Sequence, residues 1–142
     1  MNMEILEVRI KKLCPEAVIP TYSTEGAAGM DVTAVNFDGT EKYIEYGTGL
    51  SFEIPKGYVL LAFPRSSISK IDLMLKNCVG ILDSDYRGEL KLRFQKLGSE
   101  KYKIGEKCGQ IMIIPYPKIN FLEVDELSET QRGNGGFGST GK

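Results

Sequence analysis

The sequence contains no histidine among its 142 residues. This absence excludes Ser-His-Asp and Cys-His catalytic groups and the HExxH motif of zinc hydrolases. A carboxylate is therefore the natural candidate for a general base, if the chain is an enzyme.

Cysteine is scarce and long apolar runs are absent. The three cysteines, Cys14, Cys78 and Cys108, are widely spaced, so they form neither a zinc-binding spacing nor a disulfide framework. The sequence has no apolar run of about 18 residues, and charged residues interrupt the apolar ones in Met1–Pro20, unlike a signal peptide. These features predict a protein of a reducing compartment, in the cytoplasm (of the host, if the protein is viral), without membrane association.

Neither sign of charge is in excess. Lys and Arg number 18, Asp and Glu number 19, and the net charge is -1. Such a chain has no general field for a polyanion, so duplex nucleic acid is not an expected partner. With 42% hydrophobic residues and no internal linker, the sequence predicts one packed domain.

The dominant hydrophobic period is two residues, which is typical of β-strands. Alternation in Glu4–Lys11 and Glu89–Gln95 predicts half-buried strands, and the apolar runs Gly57–Phe63 and Gln110–Ile114 predict strands buried on both faces. Arg65–Leu75 fits only a short helical turn. The pattern therefore predicts an all-β sandwich, jelly roll or barrel with one short helix.

The C-terminal segment Gln131–Lys142 is rich in glycine. Gly136–Lys142 matches the first seven positions of the Walker A pattern, but the metal-binding Ser/Thr and the flanking strand and helix are missing, so a P-loop is excluded. Its backbone N–H groups, hydroxyls and Arg132 suit a phosphate clamp, and Phe137 suits stacking on a flat ligand. The alternative is a disordered C-terminus.

The segment Asn77–Glu89 predicts a hairpin with acidic residues near its tip. Apolar residues lead into Asp83, and a turn closes at Arg87-Gly88. Asp83 is a candidate general base, partly desolvated because it follows this apolar run. Alternatively, Asp83 and Asp85 only form the turn by bonding their own backbone.

Five segments, in chain order, resemble the motifs of the homotrimeric dUTPase family. They are Ala28–Asp31 (similar to AGxD), Pro64–Ser69 (PRSGLA), Asn77–Glu89 (NxxGxIDxDYRGE), Gly105–Ile111 (GDRIAQL) and Arg132–Gly141 (RGxxGFGSTG). The third and fifth are almost intact. Ser67 replaces a glycine of the second motif, Leu82 replaces an isoleucine of the third, and residues 106–109 depart from the fourth.

The resemblance implies hydrolysis of dUTP to dUMP and pyrophosphate by Mg²⁺-assisted attack of water at the α-phosphate. This reaction limits uracil incorporation into DNA and supplies dUMP for dTMP synthesis. It implies a β jelly roll (a β-clip-like barrel) over residues 1–127 and a mobile arm over residues 128–142 that closes over the active site. It also implies a homotrimer with shared sites.

The resemblance further assigns roles to individual residues. Asp83 would activate the water, Tyr86 would exclude a ribose 2′-hydroxyl and Phe137 would stack on uracil. The implied uracil-reading residues are Asn77, Gly80 and Leu82; the implied phosphate-binding residues are Arg65, Ser66, Ser67, Gln110, Arg132, Gly138, Ser139 and Thr140. Arg65 could instead brace a subunit contact. Asp31 would reach Mg²⁺ through a water, or else anchor the start of a strand.

Two other functions stay open at this point. A dCTP deaminase-like enzyme would share the fold and parts of these motifs, although the Asp83–Tyr86 segment and the complete tail follow the hydrolase pattern. The altered fourth motif and Ser67 leave room for a nucleotide-binding interaction protein with weak turnover.

Overall fold

The structure, a computed structural model, describes residues 4–141. In chain order the strands are β1 (Arg9–Lys12), β2 (Met30–Thr33), β3 (Asn36–Gly39), β4 (Ile44–Gly47), β5 (Leu50–Glu53), β6 (Tyr58–Phe63), β7 (Leu73–Leu75), β8 (Gly80–Leu82), β9 (Lys91–Lys96) and β10 (Lys107–Pro115). A short 3₁₀-helix, Ser66–Lys70, lies between β6 and β7. No helix among these residues is long and apolar enough to cross a membrane.

The strands form two four-stranded antiparallel sheets and a two-stranded one. Their orders are β2-β10-β6-β8, β3-β4-β9-β7 and β1-β5. We call the first the site sheet and the second the outer sheet. The core between them takes side chains from both. The all-β, jelly-roll-like class with one short helix is thus confirmed, as facing sheets rather than a closed barrel.

An aromatic cluster occupies the outer-sheet side of the core. The Tyr46 and Phe94 rings meet edge to face with centroids 5.8 Å apart, and Tyr102 lies 5.8 Å and 5.9 Å from them. The Tyr46 hydroxyl donates a hydrogen bond of 2.7 Å to the Tyr102 carbonyl. Burial raises the pKa of Tyr46 to about 12, so this phenol stays a neutral donor.

The two strands predicted from alternating polar and apolar residues are observed only in part. In β9, Leu92 and Phe94 are buried while Lys91 and Arg93 point away from the core, which confirms the alternation. The first strand, however, covers only Arg9–Lys12 rather than beginning at Glu4. Its partner β5 ends at Glu53, opposite Arg9, and Pro55 follows, so the preceding residues have no ladder to join.

The prediction that the central strands are buried on both faces is wrong for the single chain. In β6, Leu60 and Ala62 are buried, whereas Leu61 is only half-buried. Leu61 pairs with Met112 of β10, which is also half-buried, and with Ile81 of β8, which is exposed. The apolar side of the site sheet that faces away from the core therefore has no covering layer within the described chain.

The segment Asn77–Glu89 is not a hairpin. Strand β8 pairs with β6 of the site sheet, while β9 pairs with β4 and β7 of the outer sheet. The chain crosses to the outer sheet because Leu90 exchanges backbone hydrogen bonds with the β4–β5 connection and the first residue of β5. Leu90 N–H donates to the Leu50 carbonyl at 2.9 Å, and Thr48 N–H donates to the Leu90 carbonyl at 3.1 Å.

No strand or helix follows β10 in the described chain, which continues to residue 141. Large apolar side chains between β10 and the predicted arm are exposed: Ile119, Phe121, Leu122, Val124 and Leu127. The last regular element ends at Pro115, and the division into residues 1–127 and 128–142 stays a prediction.

Candidate active site

The site sheet brings the first, second and fourth motifs together. Strand β10 lies between β2 and β6, so Gln110 is opposite Asp31 on one side and Phe63 on the other. The Gln110 amide nitrogen donates a hydrogen bond of 3.0 Å to the Pro64 carbonyl. A Cβ atom on Gly29 would lie 2.7 Å from the Gln110 Oε1 atom. Glycine at position 29 thus leaves room for the Gln110 side chain.

Asp31 and two cations form a half-buried charge cluster beside Gln110. Arg65 Nε lies 3.1 Å from Asp31 Oδ1, and Lys107 Nζ lies 3.5 Å from Asp31 Oδ2. The Asp31 side chain is 25% exposed, so the pairs are only partly screened by water. With two cations and one anion, the cluster is suited to bind a further anion.

Lys107 is a member of this cluster that the sequence motifs do not mark as a site residue. Its position corresponds to an arginine of the resembled fourth motif, and that correspondence was the available signal. The next two residues, Cys108 and Gly109, also differ from the fourth motif, and both are packed against neighbouring residues. Cys108 is fully buried, and burial raises the pKa of its thiol to about 12, which leaves it unreactive. A Cβ on Gly109 would crowd the buried Leu92 side chain and lie 3.0 Å from the Phe63 carbonyl oxygen.

The second motif follows β6 as the 3₁₀-helix. Arg65 is the residue before the helix, and Ser66 and Ser67 are its first residues. Arg65 and Ser67, with Lys107, line an open cavity of about 950 Å³. This volume and the cations are sufficient for a polyphosphate chain.

Asp83 lies on the opposite edge of the site sheet, directly after β8. Its carboxylate is exposed, so the expectation of partial desolvation is wrong for the single chain; the preceding Ile81 is itself 67% exposed. The loop that follows is nevertheless ordered by its own contacts. The Asp83 carbonyl accepts a hydrogen bond of 3.2 Å from Tyr86 N–H, and the Tyr86 hydroxyl donates one of 2.9 Å to the Glu89 carbonyl.

Asn77 and Gly80 lie at the start of this segment, and Gly80 is the first residue of β8. Gly80 is opposite Ala62 of β6, and a Cβ on Gly80 would lie 3.3 Å from the Ala62 Cβ and 3.6 Å from the Asn77 Nδ2 atom. The exposed Asn77 amide therefore lies near the bare backbone of Gly80. Leu82 is opposite Leu60 and half-buried, a position that leucine fills as readily as isoleucine.

One chain does not bring Asp83 to the phosphate-binding cluster. Leu82 is opposite Leu60, so Asp83 lies towards the start of β6, whereas Arg65 follows its other end. Leu60 and Phe63 are three residue steps apart along the strand, which is roughly 10 Å at about 3.3 Å per residue. The two halves of the candidate site therefore lie apart within a single chain.

The C-terminal arm forms a series of tight turns. Arg132 Nε donates a hydrogen bond of 2.8 Å to the Gly135 carbonyl, and Ser139 N–H donates one of 3.1 Å to the Gly136 carbonyl. Phe137 is fully exposed. Gly138 has a φ of 86°, which glycine adopts without strain. Gly138, Ser139 and Thr140 are exposed. In the described chain, the hydrogen bonds made beyond Tyr116 stay within the arm, so its residues do not reach their own chain's Asp83 or Gln110.

Comparison with protein families decides what this arrangement is. The family model described as dUTPase matches residues 15–141. The chain belongs to the dUTPase family.

Curated relatives agree along almost their whole length. The chain is 43% identical over 144 residues to the deoxyuridine 5′-triphosphate nucleotidohydrolase of Nautilia profundicola, covering 96% of this chain and 100% of the relative. It is 44% identical over 150 residues to the enzyme of that name from Bdellovibrio bacteriovorus, covering 99% of each.

Solved structures agree in fold. The chain matches the dUTPase of Staphylococcus bacteriophage 80alpha with dUPNHPP at a TM-score of 0.81 and 24% identity, covering 96% of this chain and 99% of that one. A mutant dUTPase from phage phi11 of S. aureus, described with a structural Mg(II) ion, matches at a TM-score of 0.71 and 20% identity, covering 85% and 98%.

Proposed function

We propose that this chain is a dUTP diphosphatase that hydrolyses dUTP to dUMP and pyrophosphate. The supporting observation is the family membership over residues 15–141, together with relatives over 40% identical that are named deoxyuridine 5′-triphosphate nucleotidohydrolase. The reaction would limit uracil incorporation into DNA and supply dUMP for dTMP synthesis.

Asp83 is the proposed general base. Its carboxylate orients a water molecule and accepts a proton from it as the water oxygen bonds to the α-phosphorus. The bond from that phosphorus to the oxygen bridging to the β-phosphate then breaks, and pyrophosphate leaves. The exposed Asp83 carboxylate becomes desolvated only when substrate and the rest of the site cover it.

The segment around Asp83 would read the nucleoside. The backbone of Gly80 and Leu82 and the Asn77 amide bond the uracil edge, so cytosine would leave buried groups unpaired. Tyr86, held by the Glu89 carbonyl at 2.9 Å, packs under the sugar and leaves no space for a 2′-hydroxyl.

The triphosphate would bind the charge cluster of the site sheet. Arg65, Ser66, Ser67 and Gln110 provide donors, and Lys107, 3.5 Å from Asp31, adds a second cation. The arm then covers the nucleotide: Phe137 stacks on uracil, a contact worth about 1–3 kcal/mol. The arm's phosphate-binding residues are Arg132, Gly138, Ser139 and Thr140.

The residues present fit a Mg²⁺ ion that is carried mainly by the triphosphate. Among residues 4–141 no group of three Asp, Glu or Cys side chains could hold a metal by itself, and both oxygens of the Asp31 carboxylate already face cations. Mg²⁺ commonly keeps several waters and binds substrate phosphates with few protein ligands. When bound, it would neutralise phosphate charge, with Asp31 contributing at most through water.

We also propose that the working unit is a homotrimer with shared sites. The separation of Asp83 from the Arg65 cluster supports this, because a second chain must supply the missing half. The uncovered apolar side of the site sheet and the exposed apolar residues between β10 and the arm, such as Phe121 at 92%, offer surfaces for such contacts. Each site would then combine the Asp83 loop of one chain, the Arg65 cluster of a second and the arm of a third.

Replacement of the proposed base tests this function. Asp83→Asn should retain binding of a non-hydrolysable dUTP analogue but lower turnover by about 10²–10⁴-fold, the usual contribution of a general base. Calorimetry measures the binding and pyrophosphate release measures turnover. Asp85→Asn, another exposed residue of the same loop, is the control and should retain activity. An equal loss of binding and turnover in Asp83→Asn would mean that Asp83 is only structural.

The substrate test separates this function from the two alternatives. The protein is incubated with Mg²⁺ and, in turn, dUTP, dCTP, dTTP and UTP, with pyrophosphate and ammonia measured separately. We expect pyrophosphate from dUTP alone. Ammonia from dCTP would instead identify a deaminase, and binding without product an interaction protein.

A further inference from the structure

A second basic pocket lies on the outer sheet, away from the Arg65 cluster. It has a volume of about 440 Å³ and is lined by Tyr43, Lys76, Asn77, Lys91 and Arg93. Lys91 and Arg93 alternate with the buried Leu90, Leu92 and Phe94, so both point away from the core. We call these five lining residues the outer pocket.

The outer pocket has more positive than negative charge. Arg93 is opposite Glu45 in the β4–β9 ladder, and its Nε atom lies 2.7 Å from Glu45 Oε2. Lys91 Nζ lies 3.5 Å from Glu45 Oε1. The Glu45 side chain is only 7% exposed. This single buried carboxylate therefore neutralises only one of the two positive charges beside it. Lys76 adds a third positive charge and donates a hydrogen bond of 2.8 Å to the Lys42 carbonyl.

The guanidinium of Arg93 is held in place before any ligand arrives. Glu45 fixes it on one side, and the Tyr43 ring lies beneath it with its centroid 4.3 Å away. Within residues 4–141, the terminal nitrogens of Arg93 donate no hydrogen bond. A planar guanidinium with free terminal N–H groups suits two-pronged binding of phosphate oxygens.

We propose that the outer pocket binds a small phosphate-bearing anion of the pyrophosphate class. The terminal nitrogens of Arg93 and the ammonium groups of Lys91 and Lys76 would contact its oxygens and neutralise part of its charge. The outer pocket is separate from the Arg65 cluster, which follows a strand of the site sheet, and it adjoins the proposed uracil-reading segment through Asn77.

Occupancy has a consequence for catalysis that rests on the proposed function. Lys76 is adjacent to Asn77, the proposed uracil-reading residue, and both belong to the outer pocket. An anion held by Lys76 restrains this turn and thereby couples anion concentration to the apparent KM for dUTP.

Calorimetry with inorganic pyrophosphate tests the outer pocket. The trimer or other native assembly is first saturated with dUpNHpp, so that the proposed active site is filled, and pyrophosphate is then titrated in. Lys76→Glu reverses one charge of the outer pocket, and Lys96→Glu makes the same change on an exposed residue of β9 outside it. A parallel titration with AMP distinguishes a free anion from the phosphate of a nucleotide.

We expect one pyrophosphate per chain in the presence of the analogue. The Kd should rise about tenfold or more in Lys76→Glu, since a charge-assisted hydrogen bond has that effect, and stay unchanged in Lys96→Glu. Binding should also weaken with added salt. Absence of a pyrophosphate site beside the bound analogue, or equal weakening in both variants, would overturn the proposal. If dUpNHpp itself does not bind, the proposed function fails, while the contrast between the two variants still decides the pocket.

Discussion

At the scale of single residues, the contact between Gly29 and Gln110 shows how a small residue positions a polar one. A Cβ at position 29 would lie 2.7 Å from Gln110 Oε1. The Gln110 side chain would have to shift, which weakens or breaks the hydrogen bond of 3.0 Å that it donates to the Pro64 carbonyl. Pro64 leads directly into Arg65 and Ser66.

We therefore expect Gly29→Ala to raise the KM for dUTP with little change in stability. The lost hydrogen bond is worth about 0.5–1.5 kcal/mol, and the free energy of unfolding measured in urea should fall by no more than that. Gly26→Ala is the matched control, because a Cβ at Gly26 meets nothing within 4 Å. A KM equal in the two variants would show that Gln110 has no part in binding.

The environment of Asp83 is a residue-scale property that its sequence neighbours do not set. The apolar residues before Asp83 predict partial desolvation of its carboxylate. The structure exposes it, since Ile81 points away from the core and is 67% exposed. The desolvation of a side chain depends on what packs over it, and no residue between 4 and 141 of the same chain covers Asp83.

At the scale of elements, the arm, residues 128–142, is expected to contribute to catalysis without contributing to the stability of the fold. Its hydrogen bonds in the described chain, such as that from Arg132 to the Gly135 carbonyl, stay within the arm. Its large apolar residue, Phe137, is fully exposed. The arm therefore adds little to the packing of its own chain.

Deletion of residues 128–142 should accordingly leave the urea midpoint close to that of the full chain. Turnover should fall by about 10²-fold or more, because the phosphates lose Arg132 and Ser139 and the substrate is no longer held in alignment. Pyrophosphate release measures the loss, and a chain that lacks only residues 141 and 142 is the control. Full activity of the shortened chain would argue against closure by the arm.

The crossover between β8 and β9 shows what local pattern could not predict at this scale. The turn residues Arg87-Gly88 fit a hairpin equally well. The crossover forms instead of a hairpin because the backbones of Thr48 and Leu50 hydrogen-bond to the backbone of Leu90, at 3.1 Å and 2.9 Å. These partners lie about 40 residues earlier in the chain, beyond the range of any local signal.

At the scale of the whole molecule, the proposed sharing of sites predicts complementation. Asp83→Asn chains and chains lacking residues 128–142 should each be nearly inactive. Mixed trimers should regain activity, because some of their sites combine an intact Asp83 from one chain with an arm from another. Unfolding and refolding the two together, followed by pyrophosphate release, tests this. Mixed trimers that form, as judged by native mass, but stay inactive would mean that sites are not shared in this way.

The buried phenol and thiol predict how the fold responds to alkali. Burial raises the pKa of Cys108 from 9.0 to about 12 and that of Tyr46 from 10.0 to about 12. Above pH 9 the unfolded chain loses these protons while the folded chain keeps them, so alkali favours unfolding. The free energy of unfolding should be unaffected by these groups below pH 9 and fall progressively between pH 9 and 12.

Urea denaturation at several pH values measures this decline. Cys108→Ala, which removes the thiol, should have a shallower decline than the wild type between pH 9 and 10. If the free energy of unfolding fell equally steeply with pH in both proteins, Cys108 would not contribute to the alkaline destabilisation.

The amino-acid sequence by itself determined the all-β class and the family and predicted most residues of the candidate site, because strand periodicity and motif spacing are local and ordered along the chain. The tertiary structure alone decided that the Asn77–Glu89 segment joins two sheets, that Lys107 shares Asp31 with Arg65, and that Asp83 lies apart from both. These features depend on which distant strands become neighbours, and that is settled by the packing of the two sheets rather than by any short stretch of sequence.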